Sequence, residues 1–339
     1  MRLNTIDSER KRRMIQDSYL IAGGAGFIGN HLVRKLLSYN NVTSIVVVDN
    51  FVTGNTKNLS DLKEDSRLKI INCDITKDMP EMSSFDVVIH LAAIANPVQY
   101  EENPISTLLV NSRGNENLLR IAKESKSSYF YFSSSEVYGN HNPMSHNGLK
   151  EETVSHLVLN QKRSPYFVGK AFGEEIVRNI CTKEKINYLI IRPFNVYGSK
   201  MDRNAGYGRV IPNFITWARE KLPLQIRGDG TQMRAFCYID DFIDAVISVL
   251  EHPNPPERLV NIGNPEPISI LRLADMINKI LNNPVPHIFT DRYEFEPKYR
   301  IPNIERISNW CGWEPKIKQK EGLRKTIESF EVDEEYGNI

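Results

Sequence analysis

The sequence predicts an α/β protein, a doubly wound parallel sheet followed by a smaller mixed α/β domain in the C-terminal half. Three observations carry this. Short apolar runs alternate with helical patterns from residue 19 to residue 132, the rhythm of parallel strands joined by crossover helices. The run from Asp86 to Leu91 (DVVIHL) is almost continuously apolar, as expected of a strand covered on both faces. The first run, Tyr19 to Ala22, leads into a glycine cluster and then an apolar helix start, the opening of a Rossmann-type unit.

That opening has a chemical reading. Gly24, Gly26 and Gly29 satisfy G-x-G-x-x-G, while Gly23, Gly26 and Gly29 satisfy the offset G-x-x-G-x-x-G. Glycines serve the tight turn, the approach of backbone to a pyrophosphate, and close packing of helix on strand. The helix N-terminus then offers free N–H groups to phosphate. A second strand, Ser44 to Val48, ends in Asp49, 20 residues beyond Gly29, the spacing at which a carboxylate meets a ribose hydroxyl. The plainer reading of Asp49 is a cap on the next turn. Strand, glycines, helix, strand and acid in that order favour dinucleotide binding. Asn50 and Phe51 follow with no arginine for a 2′-phosphate, so NAD is expected rather than NADP.

The composition excludes several classes. With 339 residues there is ample material for a core, and 40% hydrophobic with 25% charged residues is ordinary for a globular chain. A net charge of +1 gives no bulk attraction to nucleic acid or membrane. No run approaches the length of a membrane span. Cys73, Cys181, Cys237 and Cys311 lie far apart without a C-x-x-C, which suits reduced thiols rather than a disulfide or zinc framework. No metal site is expected. Residues 1–17 form a polar extension with a basic run at 9–13 and no apolar h-region, so the cytoplasm is the expected location.

Further along, residues 51–59 read as a polar turn, and Leu68 to Asn72 as a third strand ending at Cys73-Asp74-Ile75. The apolar run 86–91 ends in Ala92-Ala93, small enough for a cofactor to lie against the backbone. Residues 103–123 carry a helical period, Ser128 to Phe132 is a strand, and Ser133 to Gly139 (SSSEVYG) follows it directly. A serine run there is commonly turn chemistry, although strand ends are also where ligands collect in such sheets. The polar loop 141–164 is long enough to be suspected of function. Pro165 then leads into a helix from Tyr166 to Arg178. Tyr166 and Lys170, four apart, share one helix face. An ammonium beside the phenol is expected to lower its pKa and make a general base for a hydroxyl proton.

In the second half, residues 187–192 form a strand, 199–208 a polar loop, 209–220 a helix, and 235–250 a strand running into a helix. A further helix at 268–281 and a tryptophan-bearing stretch at 309–315 follow. The domain division expected is an NAD-binding unit at 18–195, a mainly substrate-binding unit at 196–330 with return segments to the sheet, and a polar tail at 331–339.

Taken together, from about Tyr19 to Phe330, these motifs resemble the extended short-chain dehydrogenase/reductase family of NAD-dependent nucleotide-sugar epimerases, dehydratases and decarboxylases. Within it the chain looks most like the UDP-glucuronate decarboxylases. The stretches that carry this are Asp49-Asn50-Phe51 with Thr53-Gly54, Asn96-Pro97 and Tyr100 before Asn103-Pro104, Ser135 to Gly139, residues 228–241 (GDGTQMRAFCYIDD) and residues 261–265 (NIGNP).

The resemblance implies roles. Tyr166 would be the base at the sugar C4 hydroxyl, Lys170 would hold the nicotinamide ribose, Ser134 would hydrogen-bond the C4 oxygen, and Glu136 would stand at the C5–C6 end. Pro97, Ser135, Asn195, Arg209, Arg234 and Arg300 would meet the nucleotide sugar, with Arg300 at the diphosphate or the substrate carboxylate. Beside Gly23, Gly26, Gly29 and Asp49, the cofactor wall would comprise Phe27, Ile28, Asn50, Phe51, Gly54, Asp74 and Ile75. Leu91, Ala92, Ala93 and Asn111 would complete it. A homodimer is the family's common assembly. The chain departs from the decarboxylase pattern at Ser134 (a threonine there), Phe167-Val168, Arg227 and Asn303, so a dehydratase and a 4-epimerase stay open. A non-catalytic NAD-binding sensor or scaffold is the alternative from another class.

Overall fold

The computed structural model describes residues 15–140, 148–202, 209–252, 254–292 and 296–337. The basic run at 9–13, part of the long loop 141–164, most of the loop 199–208, Pro253 and the last two residues lie outside the described residues.

The first half runs β1 (Ser18–Ala22), α1 (Phe27–Leu37), β2 (Ser44–Asp49), β3 (Leu68–Asn72) and β4 (Val87–His90). Three helices follow, α2 (Pro97–Glu102), α3 (Pro104–Asn111) and α4 (Arg113–Ser125), then β5 (Ser128–Phe132), α5 (Ser164–Glu184) and β6 (Tyr188–Pro193). The second half contains β7 (Val196–Tyr197), α6 (Val210–Arg219), β8 (Gln225–Arg227), β9 (Met233–Ala235), β10 (Cys237–Tyr238) and α7 (Ile239–Leu250). It ends with β11 (Leu259–Ile262), β12 (Pro267–Ser269), α8 (Ile270–Ile280), β13 (Ile288–Thr290), β14 (Tyr299–Arg300), α9 (Glu305–Cys311) and α10 (Gln319–Gly337).

Seven strands form one parallel sheet in the order β11-β6-β5-β4-β1-β2-β3. The strands are rich in Val, Ile, Tyr and Phe, which pack well on a pleated surface. Their alternation divides the core. Tyr19, Ile21, Val47 and Ile89 face one layer with Leu32 and Leu36 of α1, while Leu20, Ala22, Val46 and Val88 face the other with Leu118 of α4 and Val177 of α5. A one-residue slip would exchange the two faces. The smaller lobe holds a three-stranded sheet β12-β9-β14 and a parallel pair β8–β13.

Several expectations need correction. The helical pattern at 103–123 is two helices, because Ser112 leaves helical dihedrals (φ −102°, ψ −80°). Helix α5 begins earlier and runs later than read, ending only where Lys185 turns left-handed (φ 56°). In the stretch expected as a polar tail, EVDEEY has neither glycine nor proline, and α10 continues through it to Gly337. Apart from these differences, the second half sends return segments to the sheet: β11 lies beside β6, and α7 packs on α1.

Candidate active site

A cavity of about 1700 Å³ opens beyond the C-terminal ends of the parallel strands, between the sheet and the smaller lobe. Its first wall is the turn from β1 to α1. Gly23 sits at φ +81°, and a β-carbon there would come within 2.5 Å of the Ala92 nitrogen. At Gly29 a β-carbon would come within 2.3 Å of the Gly23 carbonyl oxygen, so helix and turn are in backbone contact. At Gly26 it would meet only that oxygen, at 3.3 Å, and the residue lines the cavity. Gly26 is also the N-cap of α1 and supplies no side-chain cap, which leaves first-turn N–H groups for an anion.

Asp49 combines both of its sequence readings. One carboxylate oxygen accepts from the Ala25 N–H at 3.0 Å and the other from the Phe51 N–H at 2.9 Å, so it staples the glycine turn to the end of β2. Burial raises its pKa, and the two backbone donors offset part of that rise. An ionised carboxylate has about four acceptor sites, so two donors leave room for a ribose diol at the cavity wall. A glycine-lined pocket, an uncapped helix start and a strand-end acid fit a dinucleotide.

The second wall carries Ser134, Tyr166 and Lys170. Ser134 ends β5's extension and accepts the Glu136 N–H through its hydroxyl at 3.1 Å. Tyr166 and Lys170 lie on α5 and reach the same cavity. The Lys170 ammonium donates to the Phe132 carbonyl at 2.7 Å and sits 5.1 Å from the centre of the Tyr131 ring. Burial pushes its pKa down to about 7, with Glu174 opposing.

The expected lowering of the Tyr166 pKa does not hold in this state. Burial raises it, and this outweighs the lowering by Ser134, Arg209 and Arg163, while Glu136 adds to the rise. Desolvation penalises the phenolate more than nearby dipoles and cations recover.

Arginines dominate the remaining wall. Arg300 of β14 and Arg163, just before α5, both donate to the same oxygen of Glu136, the latter at 3.3 Å. Burial works against Glu136 ionising, but Arg300, Arg163 and Arg234 together hold its pKa below the usual value. Arg234 pairs with Glu296 at 2.7 Å. Arg300 is 5% exposed, and its Nε finds no hydrogen-bond partner among the described residues.

Most of the residues expected from sequence do converge here: Gly23, Gly26, Phe27, Ile28, Gly29, Asp49, Asn50, Gly54, Asp74, Ile75 and Leu91 to Ala93 line one end. Pro97, Ser134, Ser135, Glu136, Tyr166, Lys170, Asn195, Arg209, Arg234 and Arg300 line the other. Two do not. Asn111 is fully buried, donates to the Thr107 carbonyl at 2.8 Å and accepts the Tyr131 hydroxyl at 2.9 Å. It ties α3 to β5 and has no face toward the cavity. Phe51, left-handed at φ 57°, packs on the core and offers its backbone N–H to Asp49 instead.

Sequence reasoning missed Arg163 and gave Tyr100 no role beyond the resemblance. Arg163 donates from Nε to the Tyr100 hydroxyl at 2.9 Å, and the Tyr100 ring stacks on Tyr166, centroids 5.2 Å apart and planes at 15°. The only available signal was the position of Arg163, three residues before the tyrosine. Behind the site, Glu174 accepts from Ser133 at 2.6 Å and from Arg192 at 2.7 and 2.8 Å.

The chain is similar to known proteins over most of its length. A family model described as the NAD dependent epimerase/dehydratase family matches residues 19–263. UDP-glucuronic acid decarboxylase 3 of Arabidopsis thaliana is 35% identical over 313 residues, covering 92% of this chain and 89% of the plant protein. UDP-glucuronic acid decarboxylase 1 of Danio rerio is 34% identical, covering 97% of this chain and 75% of its own length. The crystal structure of UDP-glucuronic acid 4-epimerase from Bacillus cereus, in complex with UDP-glucuronic acid and NAD, superposes with a TM-score of 0.81 at 28% identity, covering 93% of this chain and 99% of that one.

Proposed function

The chain belongs to the NAD dependent epimerase/dehydratase family, and from that premise we propose that this NAD-dependent enzyme decarboxylates a UDP-linked uronic acid, UDP-glucuronate first among them. The observation that carries the reading is Arg300, a buried guanidinium whose Nε has no hydrogen-bond partner among the described residues, beside Glu136 in the cavity that Tyr166 lines. A buried guanidinium with a spare donor is suited to a planar anion such as a sugar carboxylate. The resemblance to decarboxylases over nine-tenths of the chain supports it.

NAD, when bound, supplies the hydride acceptor for the sugar C4. In this reading Tyr166 takes the C4 hydroxyl proton, and Ser134 holds the same oxygen by hydrogen bond. With a ketone at C4, the C6 carboxylate is β to a carbonyl. The C5–C6 bond can then break with its electron pair passing into an enolate, whose oxygen Tyr166 and Ser134 stabilise as donors. Glu136 and Arg300 orient the carboxylate end, while Arg209 and Arg234 supply positive charge for the diphosphate. Lys170 would hold the cofactor's ribose from the base of the cavity. The division of labour follows the chain: residues 18–195 hold the cofactor, and residues after 195 supply arginines to the nucleotide sugar.

Incubation with NAD⁺ and UDP-glucuronate, followed by mass spectrometry, tests the reaction. Loss of CO₂ is expected, and NADH absorbance then separates a released 4-ketone from a product reduced again. An unchanged mass with C4 inverted would favour the 4-epimerase reading, which the likeness to the Bacillus cereus enzyme supports. Loss of water from a neutral sugar would favour a dehydratase.

Two copies are proposed to pair through α3 and α5. These adjacent helices leave Ile105 and Phe172 66% and 55% exposed, and sedimentation of Phe172→Glu should show a shift to monomer. Among the described residues no helix is long and apolar enough to cross a membrane. Four free cysteines fit a reducing compartment such as the cytoplasm.

A further inference from the structure

We infer that Arg163 and Tyr100 form a positioning unit that sets where the Tyr166 phenol and the Glu136 carboxylate stand relative to one another. The inference rests on the reading of Tyr166 as the base and goes beyond it. Arg163 links Tyr166, Tyr100 and Glu136. Its carbonyl accepts the Tyr166 N–H at 3.2 Å. Its Nε donates to the Tyr100 hydroxyl at 2.9 Å, and its Nη2 donates to Glu136 at 3.3 Å.

Tyr100, 2% exposed, is itself fixed. It lies on α2, whose start is capped by Asn96 accepting the Val98 N–H at 3.1 Å. Its ring lies nearly parallel to that of Tyr166, so it acts as a plate against which the base rests. A guanidinium is suited to this, because its rigid planar fork donates in two directions, which an ammonium on a flexible stem does not reproduce. The Arg163 side chain is 30% exposed in the cavity wall, where a purely core-filling role has no call for a charged group.

The electrostatics run the same way. The groups around the Tyr166 phenol are Ser134 and Glu136 after β5, Arg163 before α5, Arg209 before α6, Tyr100 on α2, Tyr131 on β5 and Lys170 on α5. Arg163 and Arg209 are the cations that favour the phenolate. Arg300 reaches the same Glu136 oxygen from the opposite lobe, so Arg163 is the tie that couples this carboxylate to the base's own helix.

The test compares Tyr100→Phe, Arg163→Lys and Arg163→Gln with wild type and with Tyr166→Phe, using NAD⁺ and UDP-glucuronate. Misplacing a reacting group by about 1 Å can cost on the order of 100-fold. Tyr100→Phe keeps the stacked ring and removes only the anchoring hydroxyl, so kcat should fall about 10-fold with KM changed less than about three-fold. Both Arg163 variants should lose about 10- to 100-fold in kcat. A second readout needs no substrate: tyrosinate absorbance of each protein minus that of its Tyr166→Phe counterpart. Arg163→Gln should move the phenol's ionisation to higher pH, and Arg163→Lys should restore part of it.

Wild-type kcat in Tyr100→Phe, or an ionisation unmoved by Arg163→Gln, would overturn the positioning unit. So would a loss confined to KM. If Tyr166→Phe still turns over, it is the underlying assignment of the base that fails, and the two failures are thereby told apart. Should the Arg163 variants not fold, as judged by far-UV circular dichroism, Tyr100→Phe decides by itself.

Discussion

The ammonium of Lys170 donates to the carbonyl of Phe132 at 2.7 Å, pinning helix α5 to the end of β5. Lys170 is 2% exposed, so a group that prefers water is held inside the protein at the floor of its cavity. That arrangement costs stability.

The cost has a defined pH dependence. Burial lowers the folded pKa of Lys170 from 10.5 to about 7. Below pH 7 the folded state bears the whole penalty. Between about 7 and 10.5 the unfolded chain binds the extra proton, so stability rises with pH. Relative to Lys170→Met, the wild type should gain stability across that window in thermal melts, and the variant should be the more stable protein at neutral pH. The variant should also lose turnover. A difference between the two that is flat with pH would show that Lys170 is not desolvated as described.

His90 predicts the acid side. Burial, with Lys170 adding repulsion, pushes its pKa down to about 3 from 6.5. Its Nε2 pairs with the Val110 carbonyl at 3.1 Å. As pH falls from 6.5 toward 3 the unfolded chain takes up a proton that the folded chain refuses, so stability is lost across that range. Denaturant titrations of wild type against His90→Asn should diverge there and run parallel above pH 7.

The glycine turn separates folding from binding. Gly29→Ala would drive a β-carbon to 2.3 Å from the Gly23 oxygen, and overpacking against backbone costs about 1–3 kcal/mol or more. Gly26→Ala meets its nearest atom at 3.3 Å, so it should fold and lose NAD affinity by roughly ten-fold or more, about 1.4 kcal/mol. Calorimetric titration with NAD and thermal melts of both proteins check this. Equal melting temperatures for the two would contradict it.

Glu174 and Arg192 form a buried pair at 2.7 Å, with side chains 4% and 8% exposed. Removing one partner leaves an uncompensated buried charge, at about 3–5 kcal/mol. Glu174→Gln should therefore cost that much in urea unfolding, and Glu174→Leu with Arg192→Met should cost less than the two single changes summed. Simple additivity would mean the charges do not depend on one another.

Local signals determined much of this protein. Strand and helix periods between residues 19 and 132, the glycine spacing at 23–29 and the acid at Asp49 follow from short-range sterics and backbone hydrogen bonding, so they are written in adjacent residues. That Tyr166 and Lys170 lie one turn apart on one helix was legible for the same reason. Folding alone decided the rest. It brought Arg163 and Arg300, far apart in the chain, onto one carboxylate oxygen of Glu136. It laid Tyr100 flat on Tyr166, and it turned Asn111 inward to Tyr131 instead of toward the cofactor wall. It also reversed the expected sense of the Tyr166 shift, because desolvation depends on everything that surrounds a group. Sequence spacing along one helix reports only the neighbours that helix supplies, whereas burial and charge in the cavity are sums over segments that meet only when the chain is folded.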